Sequence, residues 1–441
     1  MPMEQQPTLV LATTTQVGET PLRWSWVEPA VWTERMLTTL DKGVKGGKWF
    51  SLIDKVYSAD NLASSFTKVQ ANDGAAGVDH IGVHDFERNL EVHLAKLHEQ
   101  LRAGTYHPQA VRRVWIPKLG SKELRPLGIP TVRDRTVQAA IRHVIEPIFE
   151  RDFAEHSYGF RPGRGCKDAL RRVDYLLKQG HRWVVDADLK AYFDTIPHDK
   201  LLARLREKIS DGRVLDLIES FLQAKVLDEA QEWTPEAGAP QGAVLSPLLS
   251  NVYLNPLDHL LVQHGFEMVR YADDFVILCR TEEDAQRALE VVRTWVNEAG
   301  LQLHPEKTRI VNVDAASFEF LGYEFRKHYR FPRKKSVAKL KARLRPRLKR
   351  ASGFSLKTII ADVNLTLRGW FEYFKHAWHT SFKPLDAWVR MRLRSILRKR
   401  AGRQGRGRGR DHQRYPNRYF EEQGLFCLEQ AQADLRQSSL R

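Results

Sequence analysis

Apolar residues fall along this chain in two rhythms, one with helical spacing and one with the alternation or short continuous runs of strands. The first 70 residues carry little of either. Trp24, Trp26, Trp32 and Trp49 stand in polar surroundings beside a Lys- and Gly-rich stretch from Lys42 to Lys48, which predicts a flexible start followed by helices. A turn cluster at Asn72 to Asp79 precedes Phe86 to Leu101, where Phe and Leu recur at helical spacing. Val111 to Pro117 alternates like a strand, and Arg125 to Pro130 follows a turn as its partner. Arg133 to Phe153 predicts a long helix with a break at Pro147, because proline removes a backbone donor. Ser246 followed by Pro247 marks the start of another helix, a hydroxyl cap with proline in the first turn.

Two apolar runs end on acids. Trp183 to Leu189 is a strand that closes on Asp186 and Asp188, and Met268 to Leu278 is two short strands around Ala272-Asp273-Asp274. The second pattern predicts a tight β-hairpin with two like charges at its tip, which repel unless a cation lies beside them. One strand-end Asp plus an Asp-Asp hairpin is the arrangement that two-metal phosphoryl transfer requires, with two Mg²⁺ ions about 3.5–4 Å apart held by carboxylates from rigid neighbouring elements. Asp186 and Asp188 share a strand face, so spacing alone does not choose between them. Asp188 is the better candidate, because the aromatic Phe193 follows it at a distance suited to lie under a bound sugar.

Composition limits the substrate. The 441 residues are enough for two or three domains, and the net charge is +16. Thirteen Lys or Arg and no acid lie between Arg326 and Arg350, and ten more with no acid between Arg390 and Arg410. Those stretches exceed the whole net charge, so the basicity belongs to the C-terminal third. Concentrated cations among aromatics are the footprint of a nucleic-acid surface, since a solvated helix normally mixes signs. With no transmembrane run and no secretory signal, the expectation is a cytoplasmic protein without a membrane partner. Cys166, Cys279 and Cys427 are too scattered for a disulfide framework or a zinc ribbon. Ser157 to Gly165 is glycine-rich but lacks the Gly-Lys-Ser/Thr ending of a phosphate loop, and suits a close backbone approach near nucleic acid, with Arg161 as a candidate RNA contact. Lys118 and Arg125 are placed to aim cations at a triphosphate. The turn at Pro240-Gln241-Gly242 is suited to hold the Gln241 amide against a base pair or ribose.

Taken in order, these residues resemble the reverse transcriptase and maturase encoded by bacterial group II introns. The resemblance rests on Ile116-Pro117-Lys118 with Arg125 to Pro130, on Tyr158 to Pro162, and on Asp188-Leu189-Lys190 through Phe193-Asp194. It continues through Pro240-Gln241-Gly242 with Ser246 to Leu249, Tyr271-Ala272-Asp273-Asp274, Glu306-Lys307-Thr308 and Phe320-Leu321-Gly322. Leu365 to Phe374 is similar to the maturase segment of the same family.

The resemblance implies an α+β right-hand polymerase: an N-terminal extension over 1–70, fingers over 71–180, a palm with an antiparallel sheet and catalytic β-hairpin over 181–325, a helical thumb and maturase domain over 326–400, and a basic tail over 401–441. It implies RNA-templated DNA synthesis with aid to intron splicing and mobility, acting on intron or other RNA, a DNA primer or target, and deoxynucleoside triphosphates. Asp188, Asp273 and Asp274 become the catalytic acids for two Mg²⁺, with the Leu189 carbonyl a further ligand. Lys118, Arg125 and Lys307 become triphosphate contacts, Phe193 the residue that excludes the wrong sugar, and Gln241 a neighbour of the nascent pair. In the thumb, Arg368, Trp370 and Tyr373 are the candidate RNA contacts, although a helical core would also use those aromatics. No His-Asn-His nuclease signature follows, which implies a member without its own endonuclease that takes primers from exposed single strands or replication forks. Two alternatives share this palm: an RNA-binding splicing factor with dispensable polymerisation, and a reverse transcriptase recruited to host defence.

Overall fold

The computed structural model describes residues 23–44, 46–117, 124–229, 231–405 and 409–438. Among them eleven strands form three sheets. The strands are β1 (Val111–Pro117), β2 (Leu124–Ile129), β3 (Trp183–Asp188), β4 (Val226–Asp228), β5 (Gln231–Trp233), β6 (Glu267–Tyr271), β7 (Asp274–Cys279), β8 (Arg309–Asn312), β9 (Ser317–Phe320), β10 (Tyr323–Arg326) and β11 (Tyr329–Pro332). The sheets run β2-β1-β4-β5, β6-β7-β3-β8 and β11-β10-β9. The chain divides into two compact units, each discontinuous in sequence, and the span 181–325 contributes to both.

One unit takes the described part of Met1–Val114 with Gly128–Phe153 and Pro197–Tyr253. Its centre is the Val132–Glu150 helix, capped by the Thr131 hydroxyl and buried along nearly its whole length. The break expected at Pro147 does not occur. Proline at 147 leaves the His143 carbonyl without its helical donor, and the Trp32 indole Nε1 donates to that oxygen at 2.8 Å. Trp24 and Trp32 are buried, so the poorly patterned N-terminal stretch is packed structure where it is described from residue 23 onward; the part of the expected flexible start before residue 23 lies outside the described residues. In the same unit the Gln138 side chain accepts from the Val244 amide at 2.9 Å, and the Ser246 hydroxyl donates to the Pro240 carbonyl at 2.8 Å. Ser246 is the first residue of the Ser246–Gln263 helix, and its hydroxyl secures the Pro240-Gln241-Gly242 turn.

The second unit takes the described parts of Trp115–Leu127 and Leu254–Arg441 together with Ala154–Ile196. Its antiparallel sheet has β3 and β7 at the centre, and Phe275 to Leu278 are fully buried because helices cover the sheet. The Cys166–Lys178 helix buries Ala169, Leu170, Val173, Leu176 and Leu177, and the Glu282–Glu298 helix buries Ala285, Ala288, Leu289, Val292 and Val296, both at helical spacing. Beyond the β9–β11 sheet, the Leu356–Phe374 helix turns Ile359, Ile360, Val363, Leu367, Phe371 and Phe374 to the core. The segment expected to be a basic tail is folded where it is described. Phe420 and Leu428 are wholly buried, and the Asp386 carboxylate of the Lys383–Arg400 helix accepts from the Leu428 and Glu429 amides at 3.0 and 2.9 Å, capping the Leu428–Ser438 helix from a neighbouring element. Part of the Gly402 to Arg410 tract lies outside the described residues.

Candidate active site

The acids meet at one end of the central strand pair. Asp188, last in β3, stands directly opposite Asp274, first in β7. In an antiparallel pair such residues have Cβ atoms about 5 Å apart on one face. Ala272 and Asp273 form the two-residue loop between β6 and β7, and Ala272 sits at φ +60°, in the left-handed region where glycine is the usual occupant. The tip is wedged from behind: a Cβ at Gly159 would lie 2.2 Å from the Ala272 nitrogen, so only glycine fits there. The close backbone approach expected in the Ser157 to Gly165 loop is thus made to the acid-bearing hairpin itself.

Electrostatics at this end are strained in one sense. Burial pushes the Asp274 carboxyl up to about 7, and the negative charges of Asp186, Asp273 and Asp188 add to it. Burial raises Asp186 to about 6 against the opposing pull of Arg309, and raises Asp273, with Asp188 contributing. In each case burial and the neighbouring acids outweigh the nearby cations. Lys307 supplies one cation, its Nζ 2.7 Å from Asp188 Oδ2. The Leu189 carbonyl receives no hydrogen bond among the described residues, because the flanking bonds run from Lys190 to Gln302 and from His304 to Asp188. Hard oxygen donors with raised carboxyl pKa values fit a divalent cation such as Mg²⁺. Among the described residues, however, no three such side chains are gathered into a cage around an ion.

Arg125, in β2, lines a groove of about 1060 Å³ together with Asp274, Trp370 and Tyr373. Its charge also lowers Asp273 against the burial that raises it. Phe193 lies in the one-turn Tyr192–Thr195 helix directly after the β3 acids, its ring 5.4 Å from that of Tyr192. Gln241 belongs to the other compact unit, where its carbonyl accepts from the Gly128 amide at 2.6 Å. Lys118 lies outside the described residues.

The thumb candidates divide. Trp370 and Tyr373 line the groove half-buried, and Phe374 borders it while buried in the core. Arg368 turns away from the groove, its guanidinium 4.6 Å from the Phe426 ring centre. Arg161 is buried, donating to the Ala154 and Ser157 carbonyls at 2.6 and 2.8 Å, so it holds the loop that carries Gly159.

Two groups went unseen in the sequence. Lys335, Lys339 and Arg343 of the Lys334–Leu344 helix line the same groove at four-residue intervals, a spacing of about 6 Å along a helix, and Arg347 lines it just past the helix end; that interval was the available signal within an otherwise undifferentiated basic run. The other group is Asp258 with Arg270, a fully buried ion pair behind the hairpin. Its partners are twelve residues apart with nothing in the local pattern to join them.

The reverse transcriptase (RNA-dependent DNA polymerase) family model matches residues 116–325, and the group II intron maturase-specific domain matches residues 337–415. The chain belongs to the group II intron reverse transcriptase and maturase family. Protein YkfC of Escherichia coli (strain K12) is 36% identical over 295 residues, 58% of this chain and 77% of that relative. The group II intron-encoded protein LtrA of Lactococcus lactis subsp. cremoris is 33% identical over 301 residues, 54% of this chain and 50% of LtrA, so the chain spans about half of LtrA's length in the match. Among solved structures, a partial Cas6-RT-Cas1–Cas2 complex is 27% identical with a TM-score of 0.37, covering 56% of this chain and 41% of that one, a likeness that carries no argument here. The family membership favours neither alternative reading, the splicing factor without polymerisation or the defence enzyme. Among the described residues no helix is long and apolar enough to cross a membrane.

Proposed function

We propose that this chain is an RNA-directed DNA polymerase in which a primer 3′-hydroxyl attacks the α-phosphate of a deoxynucleoside triphosphate on an RNA template, releasing pyrophosphate, and that its maturase-specific part binds intron RNA and aids splicing. The observation that carries the reading is the register of Asp188 against Asp274 with Asp273 beside them, at the end of a buried sheet, where burial and neighbouring negative charge raise the Asp273 and Asp274 carboxyls. Asp188, Asp273, Asp274 and the Leu189 carbonyl would hold two Mg²⁺, which when bound activate the attacking oxygen and offset charge on the leaving group.

The remaining roles belong to the protein's own groups. Lys307 neutralises Asp188 in the free protein and is near enough to turn to a triphosphate when cations replace it. Arg125 faces the same groove and offers a bidentate donor to phosphate oxygens. Phe193 stands after the β3 acids as the residue against which a ribose 2′-hydroxyl would clash. Lys335, Lys339, Arg343 and Arg347 give a row of phosphate contacts, and Trp370 and Tyr373 give ring faces to stack on.

Primer extension on an RNA template with Mg²⁺ and deoxynucleotides tests this reading. The native protein should make DNA, and ribonucleotide use should rise in Phe193→Ala. If the native protein binds RNA and leaves the primer unextended across a range of Mg²⁺ concentrations, the polymerase assignment is wrong.

A further inference from the structure

The acids at the hairpin tip do not aim themselves. Ala272 and Asp273 are a loop of two residues, and the first is an alanine held at φ +60°. An L-residue in that conformation is strained, and strain of this kind persists only where the surroundings over-determine it. The surroundings here are specific. Gly159 presses on the Ala272 nitrogen from one side. On the other, Arg270 Nη1 donates to the Ala272 carbonyl at 2.9 Å.

Arg270 is itself fixed at every point. Its side chain is fully buried, as is that of Asp258. Its Nε donates to Asp258 Oδ1 at 2.8 Å and its Nη2 to Asp258 Oδ2, so the guanidinium plane is set by a two-pronged pair. Its backbone is tied as well: the Arg270 amide donates to the His156 carbonyl at 3.0 Å, and the Tyr158 amide donates to the Arg270 carbonyl at 2.8 Å. Those bonds join Arg270 to the loop that carries Gly159. Arg161 holds that loop in turn.

A buried ion pair contributes little net stability, since desolvation offsets the attraction, and apolar side chains of the same volume often serve as well or better. What a leucine and a methionine would not supply is a rigid, charged donor to one carbonyl. The direction of the Ala272 carbonyl sets the plane of the Ala272–Asp273 peptide, and that plane sets where the Asp273 side chain leaves the backbone.

We infer that Asp258 and Arg270 are positioning residues for DNA synthesis: Asp258 orients Arg270, Arg270 holds the Ala272 carbonyl, and the strained turn thereby aims the Asp273 carboxylate. The inference rests on the polymerase reading of the acids. It assigns a catalytic consequence to two side chains that touch neither substrate nor reacting atoms.

The test replaces the pair by apolar residues of similar volume, Asp258→Leu with Arg270→Met, so that neither partner of the pair is left without the other. Thermal unfolding, RNA affinity and the single-turnover rate of adding one deoxynucleotide are measured on native and variant proteins over a range of Mg²⁺ concentrations. The expected result is a folded protein with native RNA affinity whose rate falls about a hundredfold, the scale of loss for a misplaced catalytic group. The Mg²⁺ concentration for half-maximal rate should rise with it. A folded variant that adds nucleotides at the native rate with the native Mg²⁺ dependence overturns the inference. If the double variant does not fold, Asp258→Asn decides, because it keeps the shape and weakens the hold on Arg270. A lower rate with a raised Mg²⁺ requirement then supports the inference, and native behaviour overturns it. A native protein that adds no nucleotide at all would instead count against the polymerase reading.

Discussion

At the scale of single residues, the acid-bearing hairpin trades stability for chemistry. Asp274 is raised to about 7 and Asp186 to about 6 in the folded state, from ordinary carboxylate values near 4. A carboxyl raised on folding stabilises the native state in its protonated form. That contribution is complete below pH 4 and is lost as pH rises through 6 and 7. Without divalent cations, the contribution of these two acids to the unfolding midpoint should therefore fall between about pH 4 and pH 7 and level off above it, and added Mg²⁺ should recover part of the loss at pH 8. Asp274→Asn should unfold at a higher temperature than the native protein at pH 8, with a flatter pH dependence, and should make no DNA. Thermal scans at several pH values check the first part, and a native-like pH slope in Asp274→Asn would contradict it. The three acids were legible in the sequence because strand patterns and a two-residue loop brought them to one end of two predicted strands. Arg161 was not, since nothing in a glycine-rich loop tells whether its arginine faces outward or, as here, holds the loop from within.

At the scale of elements, Pro147 shows why a local rule gave the wrong boundary. The donor that stands in for its missing amide is Trp32, 111 residues before the bonded carbonyl, and no window on the sequence contains both. Trp32→Phe keeps most of the apolar packing and removes the donor, leaving a buried carbonyl unsatisfied. It should cost about 1–3 kcal/mol in denaturant unfolding. The Leu356–Phe374 helix carries the opposite lesson. Gly369 sits in its interior, where a Cβ would meet nothing within 4 Å, and it lines the groove beside Thr366 and Trp370. Packing does not call for glycine there. Gly369→Ala should stabilise the helix by about 1 kcal/mol, and should weaken binding of an RNA–DNA duplex if that strand pair approaches the helix backbone. Unchanged duplex affinity would mean that the bare backbone is not used.

At the scale of the whole molecule, charge was the feature best read in advance and least resolved in place. The sequence shows +16 and two acid-free basic runs, which is enough to predict a polyanion partner. It does not show which cations line the groove, and the structure selects Arg333, Lys335, Lys339, Arg343 and Arg347. RNA affinity should fall steeply with salt through release of counterions. Lys339→Ala with Arg343→Ala should lower the slope of log affinity against log salt by about two, one for each phosphate no longer neutralised. Fold class was legible because the strand-borne acids, the hairpin and the basic C-terminal third occur in a fixed order. The folding of residues 409–438 onto the Lys383–Arg400 helix was not, because its anchors are distant side chains, Asp386 capping a helix some forty residues away and Arg394 donating to the Tyr415 carbonyl and to Asn417.

The claim on which the rest depends is that Asp188, Asp273 and Asp274 together perform DNA synthesis on RNA. Its most direct test is single-turnover incorporation of one deoxynucleotide by saturating native protein and by Asp273→Ala on the same RNA template and primer, with RNA affinity measured separately. The account predicts incorporation by the native protein, a loss of at least about a hundredfold in the variant, and equal RNA affinity. Equal incorporation rates in the two proteins would contradict it.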